Sequence, residues 1–106
     1  MDITVKELKE RLDKGEALNM IDVREPNEWE MQHLEGVAKI SLGNLPTSLA
    51  ELDELKDKEV VMICRSGGRS GRATQFLQAQ GFSNVRNLAG GMLAWKQHID
   101  ASFHVE

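Results

Sequence analysis

Apolar runs of strand length alternate along this chain with segments whose apolar residues recur at helical spacing. Two of the runs, Leu18 to Val23 and Val60 to Ile63, are mostly apolar, as is typical of strands covered on both faces. The alternation predicts a single α/β domain over residues 1–106, built on a parallel sheet with helices on both faces. Three shorter strand candidates complete the sheet: Ile3, Val37 to Ile40 and Val85 to Leu88.

The predicted helices have start signals of their own. Thr4 and Glu7 have the spacing of a capping box, and Pro26 suits the first turn of a short helix. A third helix is predicted from about Asn44 to Leu55, with leucines along one face. Two further helices are predicted later in the chain, from about Arg69 to Gln80 and from Met92 onward.

Composition and charge exclude several classes of function. The net charge is −4 and the arginines concentrate in one loop, which argues against a nucleic-acid surface. No apolar stretch approaches the length that spans a bilayer, and the N-terminal residues lack the apolar core of a signal peptide. We therefore expect a cytoplasmic protein with neither membrane nor nucleic-acid partners, and we expect it to be a monomer.

The chain contains a single cysteine, Cys64. One cysteine excludes an internal disulfide, a CxxC redox pair and a cysteine-based zinc site. The three histidines lack the spacing of metal ligands, so we expect no metal site. A lone cysteine at the end of a strand is often a buried, inert core residue. That interpretation stays open for Cys64.

The residues that follow Cys64 favour a functional interpretation. The next positions contain Gly67 and Gly68 together with two arginines, Arg65 and Arg69, and a helix is predicted to begin there. Backbone N–H groups of such a loop and of the first helical turn have no intrahelical acceptors and converge on one point. Together with the arginines and the helix dipole they stabilise anions, including a thiolate. The segment therefore predicts an anion-binding loop with Cys64 as its nucleophile.

A second group of charged residues is predicted to lie near this loop. Asp22 and Arg24 stand at the carboxyl end of the strand that begins at Leu18, and Cys64 stands at the end of another strand. In parallel α/β sheets, ligands bind beyond the carboxyl ends of the strands. One crevice is therefore expected to gather the thiol, the arginines and these charged side chains.

Short motifs are distributed along nearly the whole chain. They are Asp22 to Pro26 (DVREP), Trp29, His33 to Gly36 (HLEG), Cys64 to Ser70 (CRSGGRS), Leu88 to Gly91 (LAGG), and Ala94 with Trp95. Taken together and in this order, these motifs resemble those of a rhodanese (thiosulfate sulfurtransferase) homology domain of the stand-alone type.

The resemblance implies a five-stranded parallel sheet and a sulfurtransferase that uses a covalent Cys64 persulfide. Cys64 would take the outer sulfur of a small anionic donor, thiosulfate or a related compound, and release sulfite. The sulfur would then pass to a thiophilic acceptor: cyanide, a thiol or a partner protein. No metal or organic cofactor is implied. The loop residues would bind the substrate, and Asp22 and Arg24 would support the loop. The expected substrate-binding set is Arg65, Ser66, Gly67, Gly68, Arg69 and Ser70.

Two departures from the family pattern lie outside the loop. Ser41 stands where a proline is usual and Val37 where an alanine is usual, so the local loop shape there is in doubt while the chemistry is not.

Three alternatives to a thiosulfate sulfurtransferase remain. A cysteine phosphatase or arsenate reductase places five residues between cysteine and arginine, whereas four separate Cys64 from Arg69. Within the sulfurtransferases, mercaptopyruvate is an alternative sulfur donor. A non-enzymatic sulfur-carrier or partner-docking module is the alternative to an enzyme.

Overall fold

The computed structural model describes residues 2–105 and contains a five-stranded parallel sheet. The strands are β1 (Asp2–Ile3), β2 (Asn19–Asp22), β3 (Ala38–Lys39), β4 (Glu59–Ile63) and β5 (Asn84–Leu88). The strand order β1-β5-β4-β2-β3 places β4, which leads to Cys64, at the centre. This architecture confirms the predicted fold class.

Helices cover both faces of the sheet because alternate residues of the central strand point to opposite sides. On one face Val61 and Ile63 pack in the same cluster as apolar residues of α1 and α5, and on the other Val60 and Met62 pack with residues of α3 and α4. Across residues 2–105, no helix combines the length and apolarity needed to cross a membrane. The helices are α1 (Val5–Asp13), α2 (Pro26–Met31), α3 (Leu49–Leu52), α4 (Gly68–Ala79) and α5 (Gly91–His98).

The predicted capping box of α1 is confirmed. The Thr4 hydroxyl accepts the backbone N–H of Glu7, and the Glu7 carboxylate accepts the backbone N–H of Thr4, each at 3.1 Å. The predicted helix at Pro26 is also present as α2. Both helices start where short-range sequence signals place them, because capping satisfies backbone groups that no helical partner reaches.

The single helix predicted from about Asn44 to Leu55 is wrong. The structure has only the four-residue α3 there, flanked by 3₁₀ turns. The hydroxyls of Thr47 and Ser48 each donate to the Asn44 carbonyl at 2.9 Å. These side chains offer the backbone an alternative to the helical ladder, which breaks the segment into tighter turns.

Candidate active site

The loop that carries Cys64 joins the central strand to helix α4 at the carboxyl edge of the sheet. Cys64 directly follows β4, and α4 begins only four residues later at Gly68. The turn depends on Gly67, whose φ of 101° lies in the left-handed region that other residues rarely adopt. This glycine turns the chain so that the first N–H groups of α4 face back toward the thiol.

Hydrogen-bond donors surround the sulfur of Cys64. The Gly67 N–H donates to Sγ at 3.0 Å, and the Ser70 hydroxyl lies 3.2 Å from Sγ. Burial raises the pKa of the Cys64 thiol, but hydrogen bonds from the Ser70 hydroxyl and from the N–H groups of Ser70, Gly67 and Ser66 outweigh it. The pKa of Cys64 therefore lies below its ordinary value, which favours the nucleophilic thiolate.

The start of helix α5 holds the backbone of the loop from the other side. The N–H of Met92 donates to the Cys64 carbonyl and the N–H of Leu93 to the Arg65 carbonyl, each at 2.9 Å. Gly91 makes this contact possible because a Cβ there would overlap the backbone of Cys64 and Arg65. The Gly90-Gly91 pair of the sequence motif is thus a close-packing site that fixes the loop.

Asn87, on β5, was not among the residues selected from the sequence. Its side-chain Nδ2 donates to the Gly67 carbonyl at 3.1 Å, which orients the amide oxygen toward the Ser70 hydroxyl. Ser70 has one hydroxyl hydrogen, and both Asn87 and Cys64 lie within reach of it. Asn87 therefore positions the hydroxyl beside the thiol. No sequence signal distinguished Asn87 from Asn84 and Arg86, the other polar residues of the same strand.

Glu28, on α2, is a second residue that the sequence did not single out. Its carboxylate forms a bidentate ion pair with Arg69, with Nη1–Oε1 at 2.6 Å and Nη2–Oε2 at 2.9 Å. The hydrogen bonds from Arg69 lower the pKa of Glu28 to about 2, against burial, which raises it. Glu28 is therefore ionised throughout the neutral range. The charge of Arg69, which the sequence predicted to bind substrate, is already paired.

Asp22 and Arg24 form a buried ion pair at the end of β2. The Arg24 Nη2 donates to Asp22 Oδ2 at 2.8 Å and to the Gln32 carbonyl at 2.8 Å, and both side chains are only 1% exposed. The pair lies next to the strand that leads to Cys64, since the Val23 N–H donates to the Ile63 carbonyl at 2.9 Å. Asp22 and Arg24 thus form a buried pair beside that strand.

The other predicted loop residues directly follow Cys64 in the chain. Arg65 is half-buried, and Ser66 and Gly68 are exposed. Among the residues that the structure describes, no group of three histidine, cysteine or carboxylate side chains is arranged to hold a metal ion. The loop therefore offers backbone N–H groups and one hydroxyl to the sulfur, with cationic side chains close by in sequence.

Replacing Ser70 by alanine is expected to raise the pKa of Cys64. The substitution removes the hydroxyl that lies 3.2 Å from Sγ and stabilises the thiolate. A hydrogen bond to a charged group contributes about 1.5–3 kcal/mol, so the pKa should rise by about one to two units. The pKa of Cys64 is measured from the pH dependence of its alkylation by iodoacetamide. Ser66→Ala is the control, because Ser66 acts on the sulfur through its backbone N–H, which the substitution keeps. An unchanged pKa of Cys64 in Ser70→Ala would contradict the role of the Ser70 hydroxyl.

The comparisons with known proteins identify the family of this chain. The sequence profile of the rhodanese-like domain matches residues 4–98. YtwF of Bacillus subtilis, whose name describes a sulfurtransferase, is 42% identical over 95 residues that cover 90% of this chain and 89% of YtwF. A crystal structure of a rhodanese-like domain protein from Staphylococcus aureus has a TM-score of 0.84 at 28% identity and covers 100% of this chain and 99% of that one.

Other relatives are longer proteins. YrkF of Bacillus subtilis, whose name describes a sulfur carrier protein, is 39% identical over 94 residues, which are 89% of this chain but only 50% of YrkF. The chain thus spans half the length of this relative. The relatives therefore include proteins named as sulfurtransferases and as sulfur carriers. By its sequence profile and its fold, the chain belongs to the rhodanese-like domain family.

Proposed function

We propose that this protein transfers sulfane sulfur through a persulfide on Cys64, with thiosulfate as a donor. The observation that supports the proposal most directly is the set of hydrogen bonds on Sγ, from the Gly67 N–H at 3.0 Å and from the Ser70 hydroxyl. Such donors stabilise a thiolate before reaction and a negatively charged persulfide after it. The reaction needs no metal or organic cofactor.

In the first step the Cys64 thiolate attacks the outer sulfur of thiosulfate. A new S–S bond forms to Sγ, and the S–S bond of thiosulfate breaks, its electron pair leaving with sulfite. One negative charge of the thiolate and two of thiosulfate become one on the persulfide and two on sulfite, so charge is conserved. Because three negative charges meet in this step, the N–H groups of the loop contribute most when the two sulfur atoms approach each other.

In the second step an acceptor attacks the outer sulfur of the persulfide and Cys64 leaves as a thiolate. With cyanide the product is thiocyanate, and with a thiol it is a new persulfide. A thiolate leaves faster when its pKa is low, so the donors that stabilise Sγ also assist this step. A protein thiol is an equally suitable acceptor, and the likeness to YrkF, named as a sulfur carrier protein, favours a role in a sulfur relay.

The test is the mass of the intact protein after incubation with thiosulfate, followed by addition of cyanide. The expected result is a gain of one sulfur atom, which cyanide removes with formation of an equal amount of thiocyanate. An aryl phosphate is assayed in parallel. No mass gain and no thiocyanate would contradict the proposal, and hydrolysis of the aryl phosphate would favour a cysteine phosphatase instead.

A further inference from the structure

Arg69 is the loop cation expected to bind an anionic donor, yet both of its terminal nitrogens contact Glu28. The two contacts, at 2.6 and 2.9 Å, use both oxygens of the carboxylate. Bidentate pairs of this kind are among the strongest charge-assisted hydrogen bonds. A second anion that approaches Arg69 therefore competes with a carboxylate already in place.

The position of Glu28 is fixed independently of Arg69. Glu28 Oε1 also accepts the backbone N–H of Glu25 at 3.1 Å, as part of the capping box of α2. The Glu28 side chain is only 12% exposed, and Pro26 occupies the first turn of the same helix. The carboxylate is thus held by its own helix as well as by the arginine. Moving it away from Arg69 would cost a cap and expose a charge.

The effect on donors follows from counting charges. When thiosulfate meets the Cys64 thiolate, three negative charges come together. A singly charged donor and the thiolate together carry only two. The positive charge of Arg69 is offset by Glu28, and the carboxylate of Glu25 also acts on Arg69 electrostatically. Cys64 also acts on Arg69 electrostatically, so the ion pair lies within electrostatic range of the thiol. Paired in this way, Arg69 attracts a second negative charge on the donor less than an unpaired arginine would.

We propose that Glu28 is a specificity-determining residue that holds Arg69 and so disfavours doubly charged sulfur donors relative to singly charged ones. The preferred donors are then sulfane-sulfur compounds with at most one negative charge, such as the persulfide of a small thiol or a thiosulfonate. Thiosulfate is accepted, but less efficiently. This inference rests on the proposed persulfide chemistry of Cys64 and adds the class of donor.

The same bond changes apply to these donors. With a thiol persulfide, the Cys64 thiolate attacks the outer, protonated sulfur, and the S–S bond of the donor breaks with its electron pair on the departing thiolate. The products are the protonated Cys64 persulfide and a thiolate, with one negative charge before and after. With a thiosulfonate the leaving group is a sulfinate, and the total charge is two before and after. No oxidant or reductant is required.

The experiment compares thiosulfate with methanethiosulfonate, in which a methyl group replaces a charged oxygen. The measured quantity is the ratio of kcat/KM for thiosulfate to kcat/KM for methanethiosulfonate. In Glu28→Gln the ratio should rise about tenfold, since one carboxylate charge is removed and Arg69 becomes available to the dianion. Glu30→Gln is the matched control: it makes the same charge change at an exposed position of the same helix, and the ratio should stay at its wild-type value.

An unchanged or lower ratio in Glu28→Gln would overturn the inference. An equal loss with both donors would mean that the ion pair only braces the loop, which also overturns it. Should Glu28→Gln not fold, inhibition of the unsubstituted protein decides: sulfate should compete no better than methanesulfonate, and a tenfold preference for sulfate would contradict the inference. Absence of transfer from either donor in the unsubstituted protein would contradict the proposed function itself, which is a distinct outcome.

Discussion

Replacement of Cys64 by serine is expected to abolish sulfur transfer while the protein stays folded. A serine hydroxyl is not ionised near neutral pH and does not form a persulfide, so neither half-reaction has a nucleophile. The smaller oxygen fits where Sγ now lies, and the Gly67 N–H and the Ser70 hydroxyl remain to hydrogen-bond it. Thiocyanate production from thiosulfate and cyanide should fall to the rate of a reaction without protein.

The single cysteine makes this test unambiguous. Any sulfur gained by the protein in a persulfide must reside on Cys64, because the sequence has no other thiol. Intact mass after incubation with thiosulfate should therefore increase for the unsubstituted protein and not for Cys64→Ser. Thermal unfolding of both proteins provides the control for folding. Transfer that persisted in a folded Cys64→Ser protein would contradict the assigned nucleophile.

Replacement of Arg24 by methionine is expected to cause the largest loss of stability among the substitutions considered. Arg24 neutralises Asp22 inside the protein, where both side chains are 1% exposed. Removing one partner leaves a buried charge uncompensated, which typically costs about 3–5 kcal/mol. This is a large part of the roughly 5–15 kcal/mol that stabilises a small domain. The free energy of unfolding in urea measures the loss.

A double substitution distinguishes the cost of the unpaired buried charge from the cost of altered packing. In Asp22→Asn with Arg24→Met, no charge stays buried. The asparagine oxygen can still accept the backbone N–H of residue 24, which Asp22 Oδ1 accepts at 3.1 Å in the unsubstituted protein. The double variant should therefore regain much of the stability lost in Arg24→Met alone. A cost below about 1 kcal/mol for Arg24→Met would show that water or another group compensates Asp22. Because β2 runs beside β4, transfer activity is expected to fall with stability.

Some structural features of this protein depend on residues that are close together in the sequence, and such features can be predicted from the sequence reliably. The capping box of Thr4 and Glu7 and the strand that leads to Cys64 depend on residues close together in sequence. The same holds for the Gly67 turn, because a backbone conformation with positive φ is a property of that one residue. The position of Cys64 and of the N–H groups that face it was therefore predictable.

The segment from Asn44 to Leu55 shows the limit of that approach. Its leucines have helical spacing, and Leu45 and Leu52 are indeed buried in the core. The backbone nevertheless divides into 3₁₀ turns around α3, because the hydroxyls of Thr47 and Ser48 compete for the Asn44 carbonyl. Apolar periodicity specified which side chains face the core. It did not specify the hydrogen-bond pattern of the backbone.

The sequence by itself determined the fold class, and it placed Cys64 at the start of a glycine-containing loop that leads into a helix. Only the tertiary structure decided that Glu28 pairs with Arg69, 41 residues away, and that Asn87 reaches Ser70 across 17 residues. The physical reason is that a side chain's charge is set by its own chemistry, whereas its partner is set by the packing of distant elements. Because α2 lies beside the loop, Arg69, which was predicted to bind the substrate, forms an ion pair with Glu28.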